Sequence, residues 1–252
     1  MRAIDLNADL GEGFGPWSMT DDAGLMQIIS SANMACGFHA GDPNHMARVC
    51  ELAKVNQVCL GAHPGFDDKA NFGRRRIELS RAELCNMLAY QIGAACAVAS
   101  VNGVQIRYVK AHGALANMAA ESSEVADALM TAIRSVDASL AVMAIGGSQQ
   151  VAAANRLNMT VIHEAFIDRR YTDELQLAPR YMAGAVLEDL PTMLRQVDQL
   201  LDGEIETISG ERMALHCDSL CLHGDGEHAV HVAEAVKTHI LSKGHQIAAT
   251  LS

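Results

Sequence analysis

Carboxylates, imidazoles and a lysine recur in this sequence directly after short apolar runs. Asp9 and Glu12 follow the first run, Asn33, His39 and Asp42 the second, and His63 the third. Lys110 with His112, Glu164 with Asp168, and His223 with Asp225 close three more. Three chemistries fit these residue types. Imidazole and carboxylate together suit Zn²⁺ and similar ions, which would draw on His39, His63, His112 or His223 with Asp9. Without a bound metal, Asp9, Glu12, Glu164 and Asp225 are candidate bases, while Lys110, Arg169 and the histidines can bind an anion or stabilise developing oxyanion charge. Cys36, beside Gly37 and near His39, is a candidate thiol nucleophile, although a small buried cysteine is the commoner role. No H-E-x-x-H pattern accompanies the histidines. Taken singly, each residue reads as a hydrogen-bonded group at a strand end. Six of seven ends carrying one argues for a shared functional rim.

The densest stretch is 5–15. Ile4, Leu6, Ala8 and Leu10 alternate with Asp5, Asn7 and Asp9, so the polar side chains share one face of a strand. Burying unpaired carboxylates costs several kcal/mol each, so this face is either wet or chemically occupied. A surface strand with solvated acids is the plain alternative. Gly11-x-Gly13-x-Gly15 followed by Pro16 lacks the spacing of the G-x-G-x-x-G dinucleotide fingerprint.

The elements that must position these groups are seven short apolar strands, expected at 4–10, 31–35, 58–62, 106–110, 140–144, 160–163 and 219–222. Helices are expected over 23–29, from the Asp42-Pro43 start through Ala53, and from the Ser80/Glu83 capping box to Val101. Further helical segments run to about 136, over 187–201, and over 227–242 with Gly244 as the stop. The 202–217 stretch has little pattern beyond a short strand at 206–209. Strands alternating with helices predict βα units and a parallel sheet, whose carboxyl edge is where ligands bind. No linker, repeat or composition shift divides the chain, which predicts one domain over 1–252.

Half of the 252 residues are hydrophobic and the net charge is −11, with no basic tract beyond Arg74-Arg75-Arg76. Nucleic acid and anionic membrane surfaces are therefore poor partners, and a small soluble substrate is the natural one. The seven cysteines are odd in number and form no C-x-x-C pair, which reads as free thiols in a reducing cytoplasm. No signal-peptide core follows Met1, and no uncharged apolar run is expected to reach the ~18 residues of a membrane span.

The runs 5–15 (DLNADLGEGFG) and 31–43 (SANMACGFHAGDP) resemble the LamB/YcsF family. Gly61-Ala62-His63-Pro64-Gly65, Phe72-Gly73-Arg74-Arg75, 108–115 (YVKAHGAL), 164–171 (EAFIDRRY) and Leu222-His223-Gly224-Asp225 extend the resemblance over the whole chain, in order. The chain departs from the family pattern at Ala111, where the family has Pro, and at Ala116, where it has Tyr. The resemblance implies an α/β fold, a seven-stranded (β/α) barrel of the glycoside hydrolase/deacetylase type. It also implies ATP-dependent opening of 5-oxo-L-proline to L-glutamate in company with two further 5-oxoprolinase subunits, B and C. ATP would enter as a co-substrate with Mg²⁺, and no tightly bound cofactor is expected. The chain lacks G-x-x-x-x-G-K-[ST], so a nucleotide contact would use another device or the partners. On this reading Asp9, Glu12 or Asp225 orients water, and His39, His63 or His112 protonates the leaving nitrogen. Lys110, Arg169, Arg74 and Arg75 would neutralise phosphate and carboxylate. Asn7, Asn33, Asp42, Glu164, Asp168 and His223 would complete the substrate contacts. The same barrel and its His/Asp rim also suit a metal-dependent deacetylase or amidohydrolase, and a component that only binds the lactam is a third possibility.

Overall fold

A computed structural model describes residues 2–222 and 228–251, so the expected site residues His223 and Asp225 lie outside the described residues. The alternation in the first apolar run makes β1 (Ala3–Leu10), and β2 (Ser31–Ala35), β3 (Cys59–His63), β4 (Ile106–Lys110), β5 (Ala141–Ile145) and β6 (Val161–Phe166) add to it in order, all parallel. β7 (Glu204–Glu206) and β8 (Arg212–Ala214) form a separate antiparallel pair. β9 (Ser219–Leu222) then pairs with β6 on one side and β1 on the other, closing a seven-stranded parallel barrel. A last short strand, β10 (Gln246–Ile247), pairs with the start of β1 before β2 joins it.

Period-2 geometry decides what fills the barrel. Ile4, Leu6, Ala8 and Leu10 of β1 face outward into the main apolar core. Asp5, Asn7 and Asp9 face the lumen, and all three are buried, so the polar face is not a wet surface. The lumen is divided. On the β1, β2 and β9 side, Asp5, Asn7, Ser31, Asn33 and Ser219 are hydrogen-bonded to one another. The opposite side is an apolar cluster of Tyr108, Ala141, Met143 and Ile162. Gly61 makes room for it, since a Cβ there would stand 2.2 Å from Cε2 of the Tyr108 ring.

The coat is formed by α1 (Asp22–Met26), α2 (Pro43–Asn56), α3 (Arg81–Val101), α4 (Gly113–Glu121), α5 (Ser123–Val136), α6 (Gln149–Arg156), α7 (Leu190–Asp202) and α8 (Ala229–Ser242). The Ser80/Glu83 capping box opens α3 as expected. Its buried Leu84, Leu88, Ile92, Ala95 and Ala99 form a stripe at helical spacing, and the helix packs on α5. By length and composition this helix could cross a membrane, which corrects the expectation that no apolar run reaches that length. Other corrections are local. α1 stops at Met26, short of residue 29, and α6, with only eight residues, escaped the sequence reading. α7 starts at Leu190 rather than 187 because Asp189 caps Thr192 N. The strand expected at 206–209 is instead the β7–β8 hairpin. All seven cysteines are free.

Candidate functional site

The carboxyl ends of the barrel strands gather the predicted groups around Lys110. Its Nζ lies 2.9 Å from Asp9 Oδ1 and 2.7 Å from Glu164 Oε1, with Asn7 Oδ1 at 3.3 Å and Cys221 Sγ at 3.2 Å. Burial alone would push this ammonium toward neutrality. Asp9, Cys221 and Glu164 more than offset that and hold its pKa well above the ordinary lysine value. Lys110 is therefore a fixed cation between two carboxylates. Beneath it, Asn33 Nδ2 donates to Asp9 Oδ1 (2.8 Å) and Asn7 Oδ1 (2.7 Å), and Tyr108 donates its hydroxyl proton to Asn33 Oδ1 at 2.7 Å. Asn7 and Asn33, expected as substrate contacts, are fully buried below the site and serve to position Asp9 and Lys110.

Beside Lys110 stand three imidazoles. His63, at the end of β3, directs Nδ1 to the Lys110 carbonyl oxygen (2.8 Å) and Nε2 toward Asp9 Oδ2 (3.2 Å). His112, which enters from the turn before α4, directs Nε2 to the Phe72 carbonyl oxygen (2.8 Å) and Nδ1 to His63 Nε2 (3.0 Å). His39 stacks on His112 with ring centroids 3.7 Å apart and brings its Nε2 within 3.2 Å of Glu12 Oε1. Gly73, at φ +63°, permits this crowding, because a Cβ there would lie 2.7 Å from His39 Cβ and 2.9 Å from His112 Cδ2. Burial, reinforced by the neighbouring imidazoles, holds His39 well below the ordinary histidine value. Burial first and His63 second push His112 down to about 3.

Above these groups opens a cavity of about 640 Å³, lined by Asp9, Glu12, His63, Lys110, His112 and Glu164. That volume falls within the range of small-molecule sites. Arg74, Arg169 and Arg180 also line it. Arg169 is buried, donates from Nη2 to the Ala178 carbonyl at 2.5 Å, and its Nε–H has no partner among the described residues. Burial first and the Arg180 cation second lower its pKa to about 10. Cationic crowding with a spare buried donor is an environment suited to an anion.

Not every expected residue belongs here. Asp42 is the N-cap of α2, accepting from Asn44 N, His45 N and Gly15 N, and these bonds outweigh partial burial to lower its pKa to about 2. Arg75 is two-thirds exposed and lies 3.5 Å from Asp68, outside the cavity lining. Asp168 also falls outside the lining, and its carbonyl anchors Leu187 N. Burial pushes the Cys36 thiol up to about 12, which disfavours a thiolate nucleophile. Sequence reasoning assigned no site role to Arg180, Tyr181 or Cys221. Cys221 had a usable signal, since it shares the inward parity of Ser219 on β9, whereas the loop carrying Arg180 and Tyr181 has no period to read.

Comparisons with known proteins bear on the family and the fold. The profile of the LamB/YcsF family matches residues 4–252. A protein of Bradyrhizobium diazoefficiens, named as a 5-oxoprolinase A-subunit, is 42% identical over 250 residues, covering 98% of each chain. One from Rhodopseudomonas palustris, also named as a 5-oxoprolinase A-subunit, is 44% identical over 247 residues, covering 97% of each. The crystal structure of a lactam utilization protein from Thermus thermophilus superposes with a TM-score of 0.92 at 37% identity, covering 99% of this chain and 100% of that one. A full-length match in sequence and fold leaves one conclusion: the chain belongs to the LamB/YcsF family.

Proposed function

We propose that this protein is the A-subunit of a 5-oxoprolinase, opening 5-oxo-L-proline to L-glutamate with ATP and two partner subunits, B and C. The names and full-length coverage of its relatives support the lactam. The observation that carries the chemistry is the Asp9–Lys110–Glu164 cluster at the floor of an arginine-lined cavity.

A five-membered lactam is a resonance-stabilised amide and resists water. Phosphoryl transfer from ATP, entering as its Mg²⁺ complex, to the lactam oxygen would leave an electrophilic ring carbon and release ADP. Water then adds at that carbon, and the carbon–nitrogen bond breaks as the nitrogen takes up a proton. A second water releases phosphate, leaving glutamate. Arg169, with Arg74, suits the substrate carboxylate and the phosphoryl group, and Lys110 suits charge developing on oxygen. Asp9 orients and deprotonates the water and returns the proton to the departing nitrogen, while His63 and His112, whose outer ring nitrogens face backbone carbonyls, hold Asp9 and Glu12 in place. His39 lies behind His112 and acts through it and Glu12. Glutamate and ADP are to be measured from 5-oxoproline and ATP with this chain alone and with both partner subunits. Equal yields of the two products from the complete mixture only are expected. No glutamate from any mixture would overturn the proposal.

A further inference from the structure

The His63–His112 pair presents a proton count that two neutral rings do not satisfy. His63 Nδ1 faces the Lys110 carbonyl and His112 Nε2 faces the Phe72 carbonyl, each at 2.8 Å. Carbonyl oxygens only accept, so each of these nitrogens must carry its ring's single proton. The two remaining nitrogens then bear lone pairs, and they face one another at 3.0 Å. Carboxylates crowd the same point, with Asp9 Oδ2 3.2 Å from His63 Nε2 and Glu12 Oε1 3.7 Å from His112 Nδ1. Two imidazole lone pairs thus face one another, with carboxylate oxygens close by.

We infer that Glu12, His63 and His112 hold a divalent transition-metal ion of the Zn²⁺ type, with Asp9 beside its open position. Spacing supports this. Ligands about 2.0–2.1 Å from a tetrahedral ion stand roughly 3.3–3.4 Å apart; the His63–His112 and His112–Glu12 separations of 3.0 and 3.7 Å bracket that value, and all three donor atoms lie within 4.8 Å of one another. Second contacts support it as well. The carbonyls that orient His63 and His112 are the kind of outer partner that fixes a metal-binding tautomer, and His39 braces Glu12 in the same way. All four converging residues line the cavity, so three protein ligands would leave a position facing the substrate. A bound ion would lower the pKa of a water there, within reach of Asp9.

The inference does not rest on the lactam reading, because it is tested with the metal alone. The full chain, stripped with chelator, is titrated with Zn²⁺ by calorimetry, and Co²⁺ is added to record the visible bands of low-coordinate nitrogen/oxygen ligation. One ion per chain is expected, with binding weakened at least 100-fold in Glu12→Gln, His63→Gln and His112→Gln. His216→Ala, at the separate His163–His216–Asp218 group on the outside of the barrel, should leave that ion in place. Should the histidine variants fail to fold, Glu12→Gln and the Co²⁺ spectrum of the unaltered chain decide. Absence of stoichiometric binding, retention of full affinity in Glu12→Gln, or a nitrogen NMR signature of an imidazolium shared by His63 and His112 in the presence of Zn²⁺ would overturn it.

Discussion

Asp5 and Asp9 stand four residues apart on one face of one strand, both buried in the barrel, and they meet opposite surroundings. Asp5 sits in a cage of donors, accepting from Ser30 and Ser219 at 2.5 Å and from Ser31 at 2.8 Å. Burial still raises its pKa, with the three hydroxyls pulling the other way. Asp9 shares its oxygens among a lysine, an amide and an imidazole at the floor of a cavity. The lower acid has its needs met by neutral hydroxyls within the barrel wall. The upper one belongs to a charged network that opens on a cavity. A buried carboxylate is thus a sign of function when its neighbourhood is charged and borders a cavity, rather than because it is buried.

The sharpest way to break this contrast is to neutralise each acid in turn. Asp9→Asn should lower turnover of the reconstituted enzyme by about 10³-fold, within the range for a lost acid–base group, while Asp5→Asn changes kcat only a few-fold. Full ATP-coupled glutamate formation by Asp9→Asn would remove Asp9 from the mechanism. Asp5→Ala should instead cost about 3 kcal/mol of stability in urea unfolding, because the hydroxyls of Ser30, Ser31 and Ser219 lose their shared acceptor. Next comes pH. His112 has a folded pKa of about 3, below the ordinary 6.5, so the unfolded chain takes up the proton first as pH falls. Metal-free protein should lose about 1.4 kcal/mol per pH unit from 6.5 downward on this account, and His112→Gln should flatten that slope. Asp5 acts in the opposite sense, since its raised folded pKa makes acid favour the native state in the window just above 3.8. The smallest effect is expected at the cavity wall, where Arg169→Gln should raise KM for 5-oxoproline about tenfold with a lesser change in kcat.

Much of this was open to a reader of the sequence. The alternation in β1 and the polar residues at successive strand ends indicate a parallel sheet with a working edge. Periodicity reveals that Asp5, Asn7 and Asp9 share a face, but not what covers it, and closure of the sheet decides that. Asp42 looked like a site residue because a helix cap and a catalytic acid are the same chemical group after a strand. Asn7 and Asn33 looked like substrate contacts because depth within a barrel leaves no mark on a sequence. The proton count at His63 and His112 depends on two backbone carbonyls, of Lys110 and Phe72, which a residue of any type would supply equally well. Arg180 and Tyr181 reach the cavity from an irregular loop, where nothing periodic announces them.

Closure of the barrel also sets an order of events in time. The hydroxyl of Ser219 meets Asp5 across 214 positions of chain, and Asn7 meets the same serine across 212. Contacts so distant along the chain are the slow ones in folding, because their loop entropy must be overcome before they return anything. A ribosome will have made β1 through β6 well before β9 exists to seal them. Until then Asp5 is without one of its three hydroxyls, and Lys110 is without Cys221. Assembly of the candidate site therefore waits on the final barrel strand, so a truncated chain lacking β9 should be a target for chaperones and proteases rather than a folded barrel.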